Sequence, residues 1–189
     1  MLFRSYVSAE HPIQTEIVRI FKQFAKLDGD LPTAIDGCSA PTFSVPLSSL
    51  AVAFASLVNP AKQEPDVENA ARRVVAAMIK HPELIGGTKG RFDTELLRAS
   101  HAKLVCKIGA EAVYAVGVLP CAQYPEGLGI AFKMEDGSYR GLGPTVIETL
   151  AQLGVLNENE TEQLQTFHRP DIKNHRGLSV GEIRAVFQL

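Results

Sequence analysis

The sequence predicts an α+β fold in which an antiparallel sheet is flanked by helices. The sheet is indicated by residues 104–133, where runs rich in β-branched and aromatic residues are separated by glycine and proline. Helices are indicated on both sides of this region, since apolar residues recur at helical spacing in residues 12–27 and 144–153. With 189 residues, of which 46% are hydrophobic, the chain is long enough to bury a core. We therefore expect a single domain over residues 1–189.

The first predicted helix runs from about Pro12 to Leu27. Pro12 suits a first helical turn, and Gly29 suits a stop just beyond the end. One face of the helix carries the apolar residues Ile13, Ile17, Ile20, Phe21 and Phe24. That face is expected to pack inwards.

Residues 34–46 are predicted to form a rigid loop, because an Asp-Gly turn signal and two prolines punctuate them. In an extended segment Asp36 and Cys38 point the same way, so a carboxylate beside a thiol could bind a metal or orient a substrate amine. The alternative is a turn-forming Asp36-Gly37 with a packed, inert cysteine. The residues alone favour the alternative, since one cysteine and one aspartate fall short of a usual tetrahedral zinc ligand set.

Two further helices are predicted after this loop. Residues 47–58 are apolar nearly all round, which indicates a central helix. Residues 65–80 carry acids in the first turn and a lysine at the end, as the helix dipole prefers. The expected buried face of this second helix consists of Val67, Ala70, Ala71, Val74, Val75 and Met78. The glycine-rich stretch 81–93 predicts a mobile loop over a site, and a short helix begins at its end.

Lys107 is a charged residue in a predicted strand that is otherwise apolar. Gly109, two residues on, leaves a gap through which a ligand or another backbone can approach. A strand lysine beside such a gap suits an amide or acyl substrate, since the amine can exchange a proton with a serine and strand N–H groups can hold a developing oxyanion. The alternative is a solvated lysine on an edge strand, which the residues alone favour because most lysines are exposed. Lys107 is thus a candidate catalytic residue and Gly109 a candidate substrate-binding residue.

Two other motif matches are set aside. Ser100 and Lys103 have the Ser-x-x-Lys spacing of serine acyl enzymes, but they precede a strand rather than open a helix. His168 and His175 lie in a basic, proline-flanked segment, where surface or structural roles are expected instead of metal binding.

A closing strand over residues 178–184 completes the predicted fold.

The composition excludes several classes of partner. The formal net charge is −2 and no run of basic residues occurs, so neither nucleic acid nor a membrane surface is an expected partner. No apolar stretch reaches the roughly 20 residues that cross a bilayer, and residues 1–5 lack the apolar core of a signal peptide. Three widely spaced cysteines indicate reduced thiols. We expect a cytoplasmic protein with a small-molecule or protein partner.

Several motifs along the chain occur together, in order, in a known family. They are Asp36-Gly37-Cys38 with Pro41-Thr42-Phe43, His81-Pro82-Glu83 with Gly90-Arg91-Phe92-Asp93-Thr94, Lys107-x-Gly109-Ala110-Glu111, Gly127-Leu128-Gly129-Ile130-Ala131, and Asn174-x-x-Gly177. On these motifs the chain resembles the bacterial type II L-asparaginase family, of the rhizobial type. The resemblance covers almost the whole chain after Ala9.

The resemblance implies a fold, an activity and roles for four residues. The fold would be that of the serine β-lactamases and glutaminases. The activity would be hydrolysis of L-asparagine to L-aspartate and ammonia through a serine activated by a lysine. Lys107 would be the strand lysine of that Ser/Lys pair, with Gly109 beside it. Asp36 would help hold the substrate's amino group, and Cys38 would share a zinc ion with an upstream cysteine and lysine.

The sequence also departs from the family pattern. The motifs of the family's N-terminal half, which include the nucleophilic serine, are not found in this chain, and Ser39 stands where a glycine is common. We therefore expect this chain alone to be inactive, and to work with a separate N-terminal half or as a homodimer. The alternative is a non-catalytic module for binding or assembly. Either way, exposed apolar surface is expected.

Overall fold

The computed structural model describes residues 5–189 and has an α+β architecture, as the sequence predicts. Its strands form three antiparallel sheets within these residues. The strands are β1 (Thr33–Ile35), β2 (Pro41–Phe43), β3 (Leu104–Ile108), β4 (Val113–Val118), β5 (Leu128–Lys133), β6 (Asp171–Lys173) and β7 (Ser179–Glu182). The central sheet has the order β3-β4-β5, while β1 pairs with β2 and β6 with β7.

The helices surround the central sheet. They are α1 (Pro12–Ala25), α2 (Leu47–Val58), α3 (Pro65–Lys80), α4 (Pro82–Gly86), α5 (Phe92–Ala99), α6 (Leu142–Gln152), α7 (Glu158–Gln163) and α8 (Gln165–His168). Short 3-10 turns lie at Ala110–Ala112 and Tyr139–Gly141. None of the helices in residues 5–189 has the length and apolar character needed to cross a membrane.

Helix α2 is central, as predicted, because two paired glycines let it lie directly on the sheet. Gly117 of β4 and Gly129 of β5 are register partners. A Cβ atom at Gly129 would lie 1.8 Å from the carbonyl oxygen of Ala51, and one at Gly117 would lie 2.6 Å from Val58 Cγ1. The backbone of α2 therefore occupies the space that side chains would otherwise fill.

The other face of the central sheet carries the main core. Residues from β3 and β4 pack there against α5 and α6, and all are buried: Leu96, Leu104, Cys106, Tyr114, Val116, Val146, Ile147 and Leu150. The Phe92 ring packs against Tyr114 and Phe167, with centroid distances of 5.2 and 5.4 Å. This packing fixes the start of α5 against the sheet, where the candidate site lies.

Several sequence-based expectations are corrected in detail. Residues 34–46 contain the β1–β2 hairpin rather than a plain loop, because Ile35 pairs with Pro41 across a tight turn. The predicted loop 81–93 begins with helix α4. The closing strand pairs with β6, which the sequence did not predict, and not with the central sheet. These short strands lack the alternating apolar pattern that marks a half-buried strand.

The first and third helices also differ from expectation. Helix α1 ends at Ala25, because Lys26 turns into the left-handed region with φ 52° and donates its N–H to Lys22. The buried face of α3 is narrower than predicted, since Ala70 and Val74 are exposed. Its buried residues are Ala71, Val75 and Met78.

Candidate active site

Lys107 lies on β3, an edge strand of the central sheet. Its side chain is 50% exposed, and its Nζ lies 3.7 Å from Asp93 Oδ2. The same Nζ donates a 2.8 Å hydrogen bond to the carbonyl oxygen of Ile108. Lys107 thus stands at the sheet edge, as one alternative predicted, but it is held by a buried carboxylate rather than by water alone.

Asp93 ties helix α5 to strand β3. Its side chain is only 1% exposed, and Oδ2 accepts a 3.2 Å hydrogen bond from the Ile108 N–H as well as facing Lys107. Its other oxygen, Oδ1, is buried and has no hydrogen-bond partner among residues 5–189. A buried carboxylate oxygen without a donor is costly, so such an atom often marks a functional position. Sequence reasoning did not single out this residue.

Two further polar groups lie beneath the Lys107–Asp93 pair. Cys106 is fully buried, and its thiol lies 3.8 Å from the carbonyl oxygen of Asp93. Tyr114 is also fully buried, and its hydroxyl lies near Cys106 and Asp93 without a hydrogen bond of normal geometry to any described residue. Burial raises the pKa of both groups, and for Tyr114 the neighbouring Cys106 and Asp93 raise the pKa further. Both groups therefore stay neutral at physiological pH.

A cavity of about 680 Å³ opens beside this pair. It lies between the start of α5, the start of α6 and the β6–β7 hairpin, and its volume is typical of a small-molecule site. Asp93 and Ile108 line it, whereas Lys107 does not and reaches it only through its contact with Asp93. Two arginines, Arg91 and Arg140, line it as well. The arrangement provides cations, a buried carboxylate and a concave surface in one place.

Gly109 lies just after β3, two residues beyond Lys107. Its N–H donates to the Val113 carbonyl at 2.8 Å, and its carbonyl accepts a hydrogen bond from the Tyr139 hydroxyl at 3.0 Å. A Cβ atom there would meet Val113 Cβ at 3.4 Å. The backbone of Gly109 is therefore occupied in this arrangement, and its role in substrate binding stays a prediction.

Asp36 and Cys38 lie in the exposed turn of the β1–β2 hairpin. Asp36 Oδ1 accepts hydrogen bonds from the N–H groups of Cys38 and Ala40, at 2.8 and 3.0 Å. This is the turn-forming arrangement that the residues alone favoured, although Cys38 is exposed rather than packed. Across residues 5–189, no hydrogen bond or ion pair joins either residue to Lys107.

The residues around Cys38 do not by themselves fit a zinc ion. Nowhere in residues 5–189 do three or more His, Cys, Asp or Glu side chains gather closely enough to hold a metal. Cys38 can offer one thiolate, whereas a structural zinc site takes a closed tetrahedral set. Zinc binding at Cys38 stays a prediction.

The two motif matches that were set aside have structural partners. Ser100 Oγ donates to the carbonyl oxygen of Leu97 at 3.1 Å, while Lys103 Nζ lies 2.6 Å from Glu160, so they do not form a Ser/Lys pair. His168 is buried, and its Nε2 lies 3.0 Å from a carboxylate oxygen of Glu148. The Lys103 and His168 contacts join neighbouring elements, whereas the Ser100 contact lies at the end of α5 itself.

Comparison with known proteins identifies the family. A search of curated proteins found no match. The profile of the family described as L-asparaginase II matches residues 2–185, which is nearly the whole chain and includes the hairpin turn, the cavity and Lys107. The chain therefore belongs to the L-asparaginase II family.

Proposed function

We propose that this protein takes part in the hydrolysis of L-asparagine to L-aspartate and ammonia. Two observations support the proposal. The chain belongs to the L-asparaginase II family. In addition, a strand lysine is held by a buried carboxylate, and that carboxylate's residue lines a cavity of small-molecule size. The second observation carries the assignment of residues.

Lys107 is the proposed catalytic residue. When a serine hydroxyl attacks the side-chain amide of asparagine, negative charge develops on the carbonyl oxygen, and an ammonium at that point stabilises it. Ammonia then leaves, and water cleaves the acyl ester to release aspartate. Because Lys107 is ion-paired with Asp93 in this arrangement, we assign it the electrostatic part of this chemistry. Acting as a base towards the serine would require the pair to separate.

Asp36 and Gly109 are the proposed substrate contacts of the family site. Asp36 is exposed in its turn, and only its Oδ1 is engaged by the backbone N–H groups of Cys38 and Ala40. Its second oxygen is the one we assign to the substrate's amino group. Gly109 lies two residues beyond Lys107, and a substrate amide held there would replace the hydrogen bonds that its backbone makes to Val113 and Tyr139. Zinc enters no step of this proposal, since the described residues do not complete a ligand set.

We further propose that the serine comes from another polypeptide segment. No serine hydroxyl in residues 5–189 is hydrogen-bonded to Lys107. An apolar groove of about 740 Å³ between α1, α2 and α3 supports association, because Ile13 is 52% exposed within it. The same groove supports the second candidate function, a non-catalytic assembly module. Three free cysteines agree with the proposed cytoplasmic setting.

The test is ammonia release from L-asparagine and, separately, from L-glutamine. The purified chain is assayed alone and mixed with a polypeptide that carries the family's Ser-x-x-Lys motif. Release in either sample supports the proposal, and the comparison of amides defines the substrate. A folded, soluble chain that releases no ammonia in either sample contradicts hydrolysis and favours the assembly module.

A further inference from the structure

We propose that residues 170–186, which contain the β6–β7 hairpin, form a flap over the cavity between the starts of α5 and α6. The flap is clasped to α6 at both ends, and it swings outwards as a unit to admit a small molecule. This inference goes beyond the proposed function and does not rest on it, because it concerns access to the cavity and not the chemistry that follows.

The flap forms one wall of the cavity. Pro170, Ile172 and Ile183 line the cavity together with residues from the first turns of α5 and α6. The two isoleucines are partly buried, whereas Leu178 and Val180 of the same hairpin are already exposed. An outward movement would therefore open the cavity on this side while exposing little additional apolar surface, so its cost in free energy is low.

Between the two clasps the flap has no polar attachment to the rest of the protein. Within residues 5–189, no hydrogen bond or ion pair joins residues 170–186 to a residue outside that segment. None of its side chains belongs to the hydrophobic clusters of the described core. Helix α8 just before it is packed tightly, since a Cβ atom at Gly143 of α6 would lie 2.7 Å from the Phe167 carbonyl oxygen. The boundary between fixed and movable structure thus lies at the end of α8.

The flap is held together internally, so it can move as one body. Strands β6 and β7 pair with each other, and the Ile183 N–H donates to the Pro170 carbonyl oxygen at 3.0 Å. At the turn, Asn174 Oδ1 accepts hydrogen bonds from the N–H groups of Arg176 and Leu178, at 2.9 and 3.1 Å. Opening the cavity therefore breaks no hydrogen bond within the hairpin.

Both clasps are built on one helix, by Glu148 and Gln152 of α6. The first clasp lies before the flap, where His168 Nε2 is 3.0 Å from Glu148 Oε2. The second lies after the flap, where Gln152 Nε2 donates to the Phe187 carbonyl oxygen at 3.0 Å and Gln152 Oε1 accepts from the Leu189 N–H at 2.8 Å. Gln152 Nε2 also donates to Glu148 Oε1 at 2.8 Å, so the two clasps form one network.

The second clasp is the weaker of the two. Its hydrogen bonds to the backbone are neutral and Gln152 is exposed, whereas His168 is buried beside a carboxylate. The hydrogen bonds from Gln152 and His168 lower the pKa of Glu148, so this carboxylate is ionised at neutral pH. The flap should therefore release first at its far end and stay attached at α8.

The test is NMR of the isotope-labelled full chain, in which Gln152→Ala removes the second clasp. We expect the amide signals of residues 170–186 to shift as a group. Relaxation dispersion should show one common exchange process, with an open population at least about fivefold that of the wild type. The control Gln163→Ala changes an exposed glutamine of α7 whose side chain makes no hydrogen bond within residues 5–189, and it should leave these signals unchanged.

A second variant acts on the cavity side of the flap. Ile172→Ala removes an apolar side chain that lines the cavity, and it should move the signals of residues 176–186 in the same directions as Gln152→Ala, because both variants shift one open–closed equilibrium. Changes confined to residues 187–189 and the neighbours of position 152, or changes in unrelated directions in the two variants, would overturn the flap. Group shifts together with no ammonia release would support the flap and contradict the proposed function.

Discussion

Replacing Gly129 with alanine should destabilise the protein by about 3 kcal/mol, at or above the upper end of the usual cost of overpacking. The added Cβ would lie 1.8 Å from the carbonyl oxygen of Ala51 and 2.8 Å from the N of Ala55. To restore an ordinary contact, α2 must withdraw from β5 by about 1.6 Å. The obstruction is helix backbone, which cannot rotate away as a flexible side chain can. The loss is a large fraction of the stability of a typical domain.

Urea denaturation followed by circular dichroism measures this effect, with Gly37→Ala as the matched control. A Cβ at Gly37 would meet nothing within 4 Å, so that substitution should change the free energy of unfolding by less than about 1 kcal/mol. Equal stabilities for Gly129→Ala and Gly37→Ala would refute the direct packing of α2 on the sheet.

Three other predictions follow from buried groups. Burial acts to raise the pKa of Glu160, but the Lys103 ion pair and the Asn157 N–H outweigh burial and lower the pKa overall. The ionised Glu160 carboxylate therefore stabilises the fold at pH values above the pKa of this group in the unfolded chain. Glu160→Gln should lower the unfolding temperature at pH 7, with the difference from wild type shrinking as pH falls below about 4. Tyr114→Phe should leave the free energy of unfolding within about 1 kcal/mol of wild type in urea, because the hydroxyl makes no hydrogen bond of normal geometry; a loss of several kcal/mol would show that its approach to Asp93 or Cys106 stabilises the fold. Buried Cys106, whose pKa is raised, should resist iodoacetamide in the native protein while the exposed cysteines react, and mass spectrometry would expose the opposite order.

The elements with strong local signals could be predicted from the sequence. The bounds of α2 and α3 agree with the expected 47–58 and 65–80, since proline and charge mark their ends. The three strands of the central sheet also follow their β-branched runs. The β6–β7 pairing was missed, because its exposed residues carry no periodic pattern.

The site was harder to predict, because its central contact joins distant parts of the chain. Lys107 was identified from its place in an apolar strand, but its partner Asp93 resembled an ordinary acid in the first turn of a helix. Only the packing of α5 on β3 brings the two together. The same packing places Arg91 and Arg140 on one cavity, although they lie in separate loops of the sequence.

The measurement that tests the account most directly is ammonia release from L-asparagine by Lys107→Met in the reconstituted mixture. Lys133→Met is the matched control, because Lys133 ends the opposite edge strand, is exposed and donates only to the Met134 carbonyl. We predict a loss of at least about 100-fold in kcat for Lys107→Met, as expected when one stabilising group for an oxyanion is removed, and no loss for the control. Equal rates for the two variants would contradict the assignment of Lys107 as the catalytic residue.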